Sequence, residues 1–99
     1  MGRVVKPSIE IRPEEFTADE VRSERWLVTV FNNETNTYEE VITILIIATS
    51  CSPEEAWIET WEIDHLGHSV VHVGNEEECC AAAEIIATIG IRVEVTPEL

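Results

Sequence analysis

The sequence predicts an α/β (α+β) fold, a two-layer sandwich in which a three-stranded sheet carries three helices on one face. Three observations predict it. Trp26–Phe31, Ser69–Val73 and Ile91–Val95 alternate apolar and other residues with the period of two expected of half-buried strands. Between them lie stretches with helical apolar spacing, each opened by a capping residue. The resulting order, β-α-α-β-α-β, gives every helix a sheet face to cover. A chain of 99 residues that is 44% hydrophobic is long enough to bury a single core.

Residues 1–25 are rich in charge, contain Pro7 and Pro13 and sustain no period. They are expected to form a mobile N-terminal arm with a helical turn near Pro13–Val21, leaving residues 26–98 as the domain. In the first strand Trp26, Val28 and Val30 share one face and Leu27, Thr29 and Phe31 the other. A polar elbow, Asn32-Asn33-Glu34-Thr35-Asn36, follows without Gly or Pro. Asn is a common turn former, so a plain polar turn is one reading of it. A small concave site between a strand end and a helix start is the other.

Thr37 and Glu40 have the spacing of a capping box, and Tyr38, Val41, Ile42, Leu45, Ile46 and Ala48 then recur at helical spacing to about Thr49–Cys51. Ser52, Pro53 and Glu55 open the second helix with a cap, a first-turn proline and a second box. Ala56, Trp57, Ile58, Trp61 and Ile63 are expected to form its buried side, with the Trp57–Trp61 pair in the core, and Gly67 stops it. Asn75 caps the third helix, and Glu76, Glu77 and Glu78 load its first turn, where the helix dipole favours negative charge. That helix is expected to run through Cys79 to Ile89 and to stop at Gly90. Pro97 ends the last strand.

The net charge of −14 argues against a nucleic-acid partner and against anionic membrane surfaces. It favours cationic partners, including protonated peptide N-termini. The apolar run Val41–Ala48 is far short of the roughly 20 residues that span a bilayer. Cys51, Cys79 and Cys80 cannot all pair within one chain, so reduced thiols in a cytoplasmic compartment are expected. His68 and His72, four apart on a strand, would share a face about 13 Å apart, too far to bind one zinc ion. No cofactor or metal is expected. The acidic neighbours of Cys79 and Cys80 would raise a thiol pKa, which disfavours a nucleophile. Asp64, near the end of the second helix, is acidic where the dipole prefers a cation, and a ligand ammonium would offset that.

Phe31-Asn32-Asn33-Glu34-Thr35-Asn36-Thr37-Tyr38 resembles the strand, Asn-Asp-Asp-like elbow and helix opening of the ClpS adaptor family. Ser52-Pro53-Glu54-Glu55-Ala56 is similar to that family's Ser-x-Glu-x-Ala, and Asp64-His65-Leu66-Gly67-His68-Ser69-Val70-Val71 to its His-x-x-Gly-x-Ala-Val-Val. Gly90-Ile91 and the closing Glu94–Glu98 resemble its short-helix branch. The likeness covers roughly residues 26–98.

The resemblance implies a non-enzymatic adaptor that binds proteins through a bulky hydrophobic N-terminal residue, an N-degron, and delivers them to a Clp AAA+ protease. It implies that Asn32, Asn33 and Asp64 hold the α-ammonium, with Asn33 in place of the family's acid and Asp64 in place of its His. Asn36, Tyr38, Val41, Thr60, Ile63 and Val93 would line the pocket for the first side chain, Tyr38 replacing the family's gating Met. Glu76, Glu77 and Glu78 would face the unfoldase's N-terminal domain, and the unfoldase would also engage the arm. The departures at Asn33, Tyr38 and Asp64 also allow a ClpS-like interaction module whose degron specificity is lost or altered. A reading from another class is a small thiol or metal enzyme using Cys79, Cys80 and the histidines.

Overall fold

In a computed structural model the structure describes residues 9–11, as backbone, and residues 25–98. The elements are β1 (Ile9–Ile11), β2 (Trp26–Phe31), α1 (Tyr38–Thr49), α2 (Pro53–Leu66), β3 (His68–Gly74), α3 (Glu76–Ala87) and β4 (Arg92–Pro97). The β-α-α-β-α-β order is present, and β2 pairs antiparallel with both β3 and β4. β1 adds a short edge strand parallel to β4, giving the sheet order β1-β4-β2-β3. Three residues are too few for a period to register, so the sequence reading gave Ile9–Ile11 no element. The helical turn expected near Pro13–Val21 lies outside the described residues, and the arm's expected mobility belongs largely to residues that are also outside them.

The core lies between one sheet face and the three helices. Trp26, Val28 and Val30 from β2, Val71 from β3, and Val93 and Val95 from β4 meet Val41, Ile44 and Leu45 of α1, Ala56 and Ile63 of α2, and Cys79, Ala83 and Ile86 of α3. The expected caps set the helices. Thr37 and Glu40 complete a reciprocal capping box, with bonds of 3.1 and 3.0 Å. The Ser52 half of the second box is in place, its hydroxyl accepting from the Glu55 N–H at 3.1 Å. Asn75 accepts from the Glu78 N–H at 2.7 Å. Gly67 ends α2 at φ 94°, a left-handed conformation that suits a residue without Cβ.

Three expectations change. α3 ends at Ala87, two residues early, because Thr88–Gly90 tighten into a turn in which the Gly90 N–H donates to the Ala87 carbonyl. Trp57, Ile58 and Trp61 are 51%, 52% and 39% exposed. α2 is apolar at successive positions around its girth, so periodicity could not select a face. The helix packs through the small Ala56 and Thr60 together with Ile63. Finally, the β2–β3 register shifts between Val28 and Thr29, leaving Val71 as an extra residue on β3. That bulge puts His72 toward the helices, 3.9 Å from Glu78, while His68 meets Phe31 on the outer sheet face. The two histidines therefore do not share a face. No helix among the described residues is long and apolar enough to cross a membrane.

Candidate functional site

The elbow between β2 and α1 is built by asparagine side chains. Asn32 Oδ1 accepts from the Glu34 N–H at 3.0 Å, which supports Glu34 in the left-handed region at φ 63°. Asn33 Oδ1 accepts from the backbone N–H groups of Thr35 and Asn36, and its amide donates to Asn36 Oδ1 at 2.7 Å and to the Gly90 carbonyl at 3.3 Å. The Asn36 amide donates to the Ile89 carbonyl at 2.9 Å and to Glu40 at 3.1 Å. The early end of α3 is what presents those two carbonyls to the elbow. On the other side the Asn32 N–H donates to the Gly67 carbonyl at 3.0 Å, tying the elbow to the end of α2 and so to Asp64.

Between elbow, α1 and α2 lies a cavity of about 400 Å³, lined by Asn32, Asn33, Glu34, Asn36, Thr37, Tyr38, Val41, Thr60, Ile63, Asp64 and Ile91. That volume is in the range of small-ligand sites. Its polar groups come from the elbow and Asp64. Its apolar lining comes from Val41, Ile63 and Ile91, all at most 5% exposed. The Thr60 hydroxyl donates to the Ala56 carbonyl at 2.7 Å, so Thr60 enters the lining with its polar group already used.

Across the cavity, the Tyr38 hydroxyl donates to Asp64 Oδ2 at 2.8 Å. Desolvation, followed by that bond and the neighbouring carboxylate charge, pushes the Tyr38 phenol above its ordinary range, so it remains a donor at neutral pH. Asp64 Oδ2 also lies 3.6 Å from His65 Nδ1, and among the described residues Oδ1 accepts no hydrogen bond. An ammonium, which only donates, needs acceptors of this kind. Asn32 Oδ1 keeps a second lone pair, whereas Asn33 Oδ1 already accepts twice.

Asn32, Asn33, Asn36, Tyr38, Val41, Thr60, Ile63 and Asp64 are thus brought together. Val93, expected in the lining, lies outside it: it is fully buried in the sheet core, and Ile91, two residues earlier, takes that side. Alternation puts both on the same side, so position along the chain decides this: Ile91 stands just before β4, beside the elbow, while Val93 lies within the strand. The lining also takes in Glu34, which the elbow reading contained without a role, and Thr37, read only as a helix cap. The signal for Glu34 was its place in the elbow motif itself. Glu76, Glu77 and Glu78 are exposed on the first turn of α3, at the opposite end of that helix from the elbow contacts. Twelve helical residues at 1.5 Å each put about 18 Å between the two ends.

Among the described residues, no group of three or more His, Cys, Asp or Glu could hold a metal ion. Cys79 is buried, its thiol 3.3 Å from the Trp26 carbonyl. Desolvation first, and carboxylates second, push the Cys80 thiol up, and burial likewise raises Cys79. The sequence reading had the direction right and credited the lesser cause. Either shift is opposite to what a thiolate nucleophile needs.

Residues 21–93 match the family described as ATP-dependent Clp protease adaptor protein ClpS. The chain belongs to the ClpS family. Its members are non-catalytic adaptors of N-end rule protein degradation, and the family implies a Clp AAA+ protease and N-degron substrates as partner classes. The fold is similar to that of Agrobacterium tumefaciens ClpS2 in its structure bound to L-phenylalaninamide, with a TM-score of 0.72 and 18% identity over 78% of this chain and 100% of that one. The chain is also 31% identical over 62 residues to the E3 ubiquitin-protein ligase ubr-1 of Caenorhabditis elegans, an alignment covering 63% of this chain and 3% of that protein. It therefore spans about 3% of the length of that curated relative.

Proposed function

We propose that this chain binds the free N-terminus of proteins whose first residue is bulky and hydrophobic, and delivers them to a Clp AAA+ unfoldase. The observation that carries the reading is a single cavity with carboxylates Glu34 and Asp64 at its polar side and Val41, Ile63 and Ile91 as its apolar lining. In this reading the α-ammonium donates to Asp64 Oδ1 and Asn32 Oδ1, with Glu34 adding negative potential. Asn33 and Asn36 act through the backbone, by holding the elbow against Ile89 and Gly90. The first side chain takes the apolar lining, where burying a Leu or Phe contributes roughly 1.5–3 kcal/mol. Glu76–Glu78, on the far end of α3, are assigned to the unfoldase, leaving cargo and partner on separate surfaces. The ClpS2 structure named for its L-phenylalaninamide complex supports the ligand class through the shared fold.

Fluorescence anisotropy with peptides beginning in Leu, Phe, Tyr or Trp, each free and N-acetylated, tests the first half. Free peptides should bind and acetylated ones should not, and Asp64→Ala should weaken the free ones. Equal binding of both forms would sink the ammonium site. A pull-down on Clp ATPase N-terminal domains, repeated with Glu76, Glu77 and Glu78 changed to Gln, tests delivery. A second reading, a ClpS-like module with lost or altered degron specificity, is favoured by one contact: the carboxylate meant for the ligand is already engaged by Tyr38. Selective binding of Ile- or Arg-initiated peptides, or of none, would establish it.

A further inference from the structure

α2 carries its largest side chains on the outside. Trp57, Ile58 and Trp61 are 51%, 52% and 39% exposed, and positions 57, 58, 61 and 65 follow one another along a single stripe. Trp61 is stacked on His65 with ring centroids 4.2 Å apart and planes 17° off parallel, and His65 Nδ1 is bonded at 3.0 Å to the Trp61 carbonyl, so the stripe is ordered. The chain's remaining tryptophan, Trp26, is 3% exposed. A Trp buries 150–250 Å² when covered, and clusters of this kind are usually contact surfaces. No residue of the stripe lines the elbow cavity.

The charge around the stripe identifies what covers it. Glu54, Glu55 and Glu62 flank it on α2 itself. From Trp26 to Ile91 the sequence contains twelve acidic residues and no Lys or Arg. A second copy of the chain would bring like charges together at every edge of the contact, and an anionic membrane or nucleic acid would be repelled in the same way. A cationic protein surface is attracted on both counts: its apolar residues cover Ile58 and the indoles, while Lys or Arg meets the carboxylates and the indole faces.

We propose that the exposed face of α2 is a second protein-binding surface, separate from the elbow cavity, whose occupant is a Lys/Arg-rich amphipathic helix of a partner protein. The occupant lays its apolar side along Trp57, Ile58 and Trp61 and its cations against the flanking acids.

The test uses the full chain and a labelled 18-residue helical peptide of Leu and Lys, amphipathic by design and N-acetylated so that it has no α-ammonium. A scrambled peptide of the same composition controls for charge alone. Saturable binding is expected for the amphipathic peptide. Trp57→Ala with Trp61→Ala should weaken it by about tenfold or more, the range expected of an aromatic anchor, while Asp64→Ala changes it less than twofold. Far-UV circular dichroism checks the fold of the variants. Protection of wild-type tryptophan fluorescence from acrylamide by the bound peptide gives a readout independent of substitution, since Trp26 is already shielded. The proposal is overturned if the scrambled peptide binds equally, if the double variant binds like wild type, if neither peptide binds, or if sedimentation shows a dimer that the double variant dissolves.

Discussion

The Tyr38–Asp64 bond is the residue-scale feature on which the ligand site turns, because the same carboxylate has two prospective donors. With Oδ2 occupied by the phenol, the carboxylate is held in one rotation, and a held acceptor costs less to order when a ligand arrives. Tyr38→Phe keeps the ring and removes the donor. It should weaken binding of a free N-terminus about fivefold, roughly 1 kcal/mol for one lost hydrogen bond, with little change in thermal stability because Asp64 is exposed. Tighter binding by the Phe variant would show the hydroxyl to be a competitor of the ammonium. Glu59 offers a prediction of a different kind. Desolvation, then the charges of Glu55 and Glu62, push its carboxyl from the ordinary 4.5 up to about 7, and its Oε1 is buried with no hydrogen-bond partner. The folded state thus holds a proton that the unfolded chain releases. Stability from this group is complete below about pH 4.5 and is lost as pH rises through about 7. Glu59→Gln should raise stability at pH 8 by on the order of 1–2 kcal/mol once solvent screening is allowed for, seen as a higher melting temperature whose fall between pH 5 and 8 is flattened. A variant with an unchanged pH profile would mean that Glu59 is ionised throughout. Neither feature could be read from sequence: Tyr38 and Asp64 are 26 residues apart, and the buried oxygen depends on how α2 is turned.

At the scale of elements, the fold was readable wherever backbone groups are satisfied by side chains close in sequence. Thr37, Ser52, Asn75 and Gly67 each announce a helix end through a bond within a few residues, and each does so in the structure. What escaped depends on distant contacts. The face of α2, the bulge at Val71 and the early end of α3 are decided by what packs across the sheet or reaches back from the elbow. Such contacts leave no local period. The elbow shows the difference in energetic terms. Thr37→Ala removes one half of the box that starts α1 and should cost about 1 kcal/mol of stability. Asn36→Ala instead cuts the amide bonds to Ile89 and Glu40 and the acceptor of Asn33 together. It should therefore reduce binding of free N-terminal peptides by more than Thr37→Ala does, even where the two melt alike. Paired melting and anisotropy measurements separate them. Equal losses of affinity would show that the elbow needs only α1, not its ties to the α3–β4 turn.

For the whole molecule, charge sets stability and recognition in opposite directions. A net charge of −14 on 99 residues, with no Lys or Arg from Trp26 to Ile91, leaves the helices without a Lys or Arg of their own, although His65 lies 3.6 Å from Asp64 and His72 3.9 Å from Glu78. Two arginine pairs lie outside that stretch, Arg25 with Glu98 and Arg92 with Glu94, each at 2.6 Å, the first on exposed side chains and the second on a mostly buried Glu94. Isolated pairs near the surface contribute little and are screened by salt. Mutual repulsion among the carboxylates opposes compaction, and mobile ions screen it over about 10 Å at 0.1 M. Raising sodium chloride from low concentration to about 0.3 M should therefore raise the melting temperature by several degrees, since about 1 kcal/mol corresponds to roughly 4–8 °C in a domain of this size. The same screening weakens the attraction of an α-ammonium to Asp64 and Glu34, so the affinity for a free N-terminus should fall over the same range. Acetylated peptides, which carry no such charge, provide the baseline. Melting curves and anisotropy titrations on one salt series measure both trends. A melting temperature that falls with salt would mean that the two arginine pairs outweigh the repulsion. An affinity indifferent to salt would remove charge from the recognition of the N-terminus and leave the apolar lining as its source.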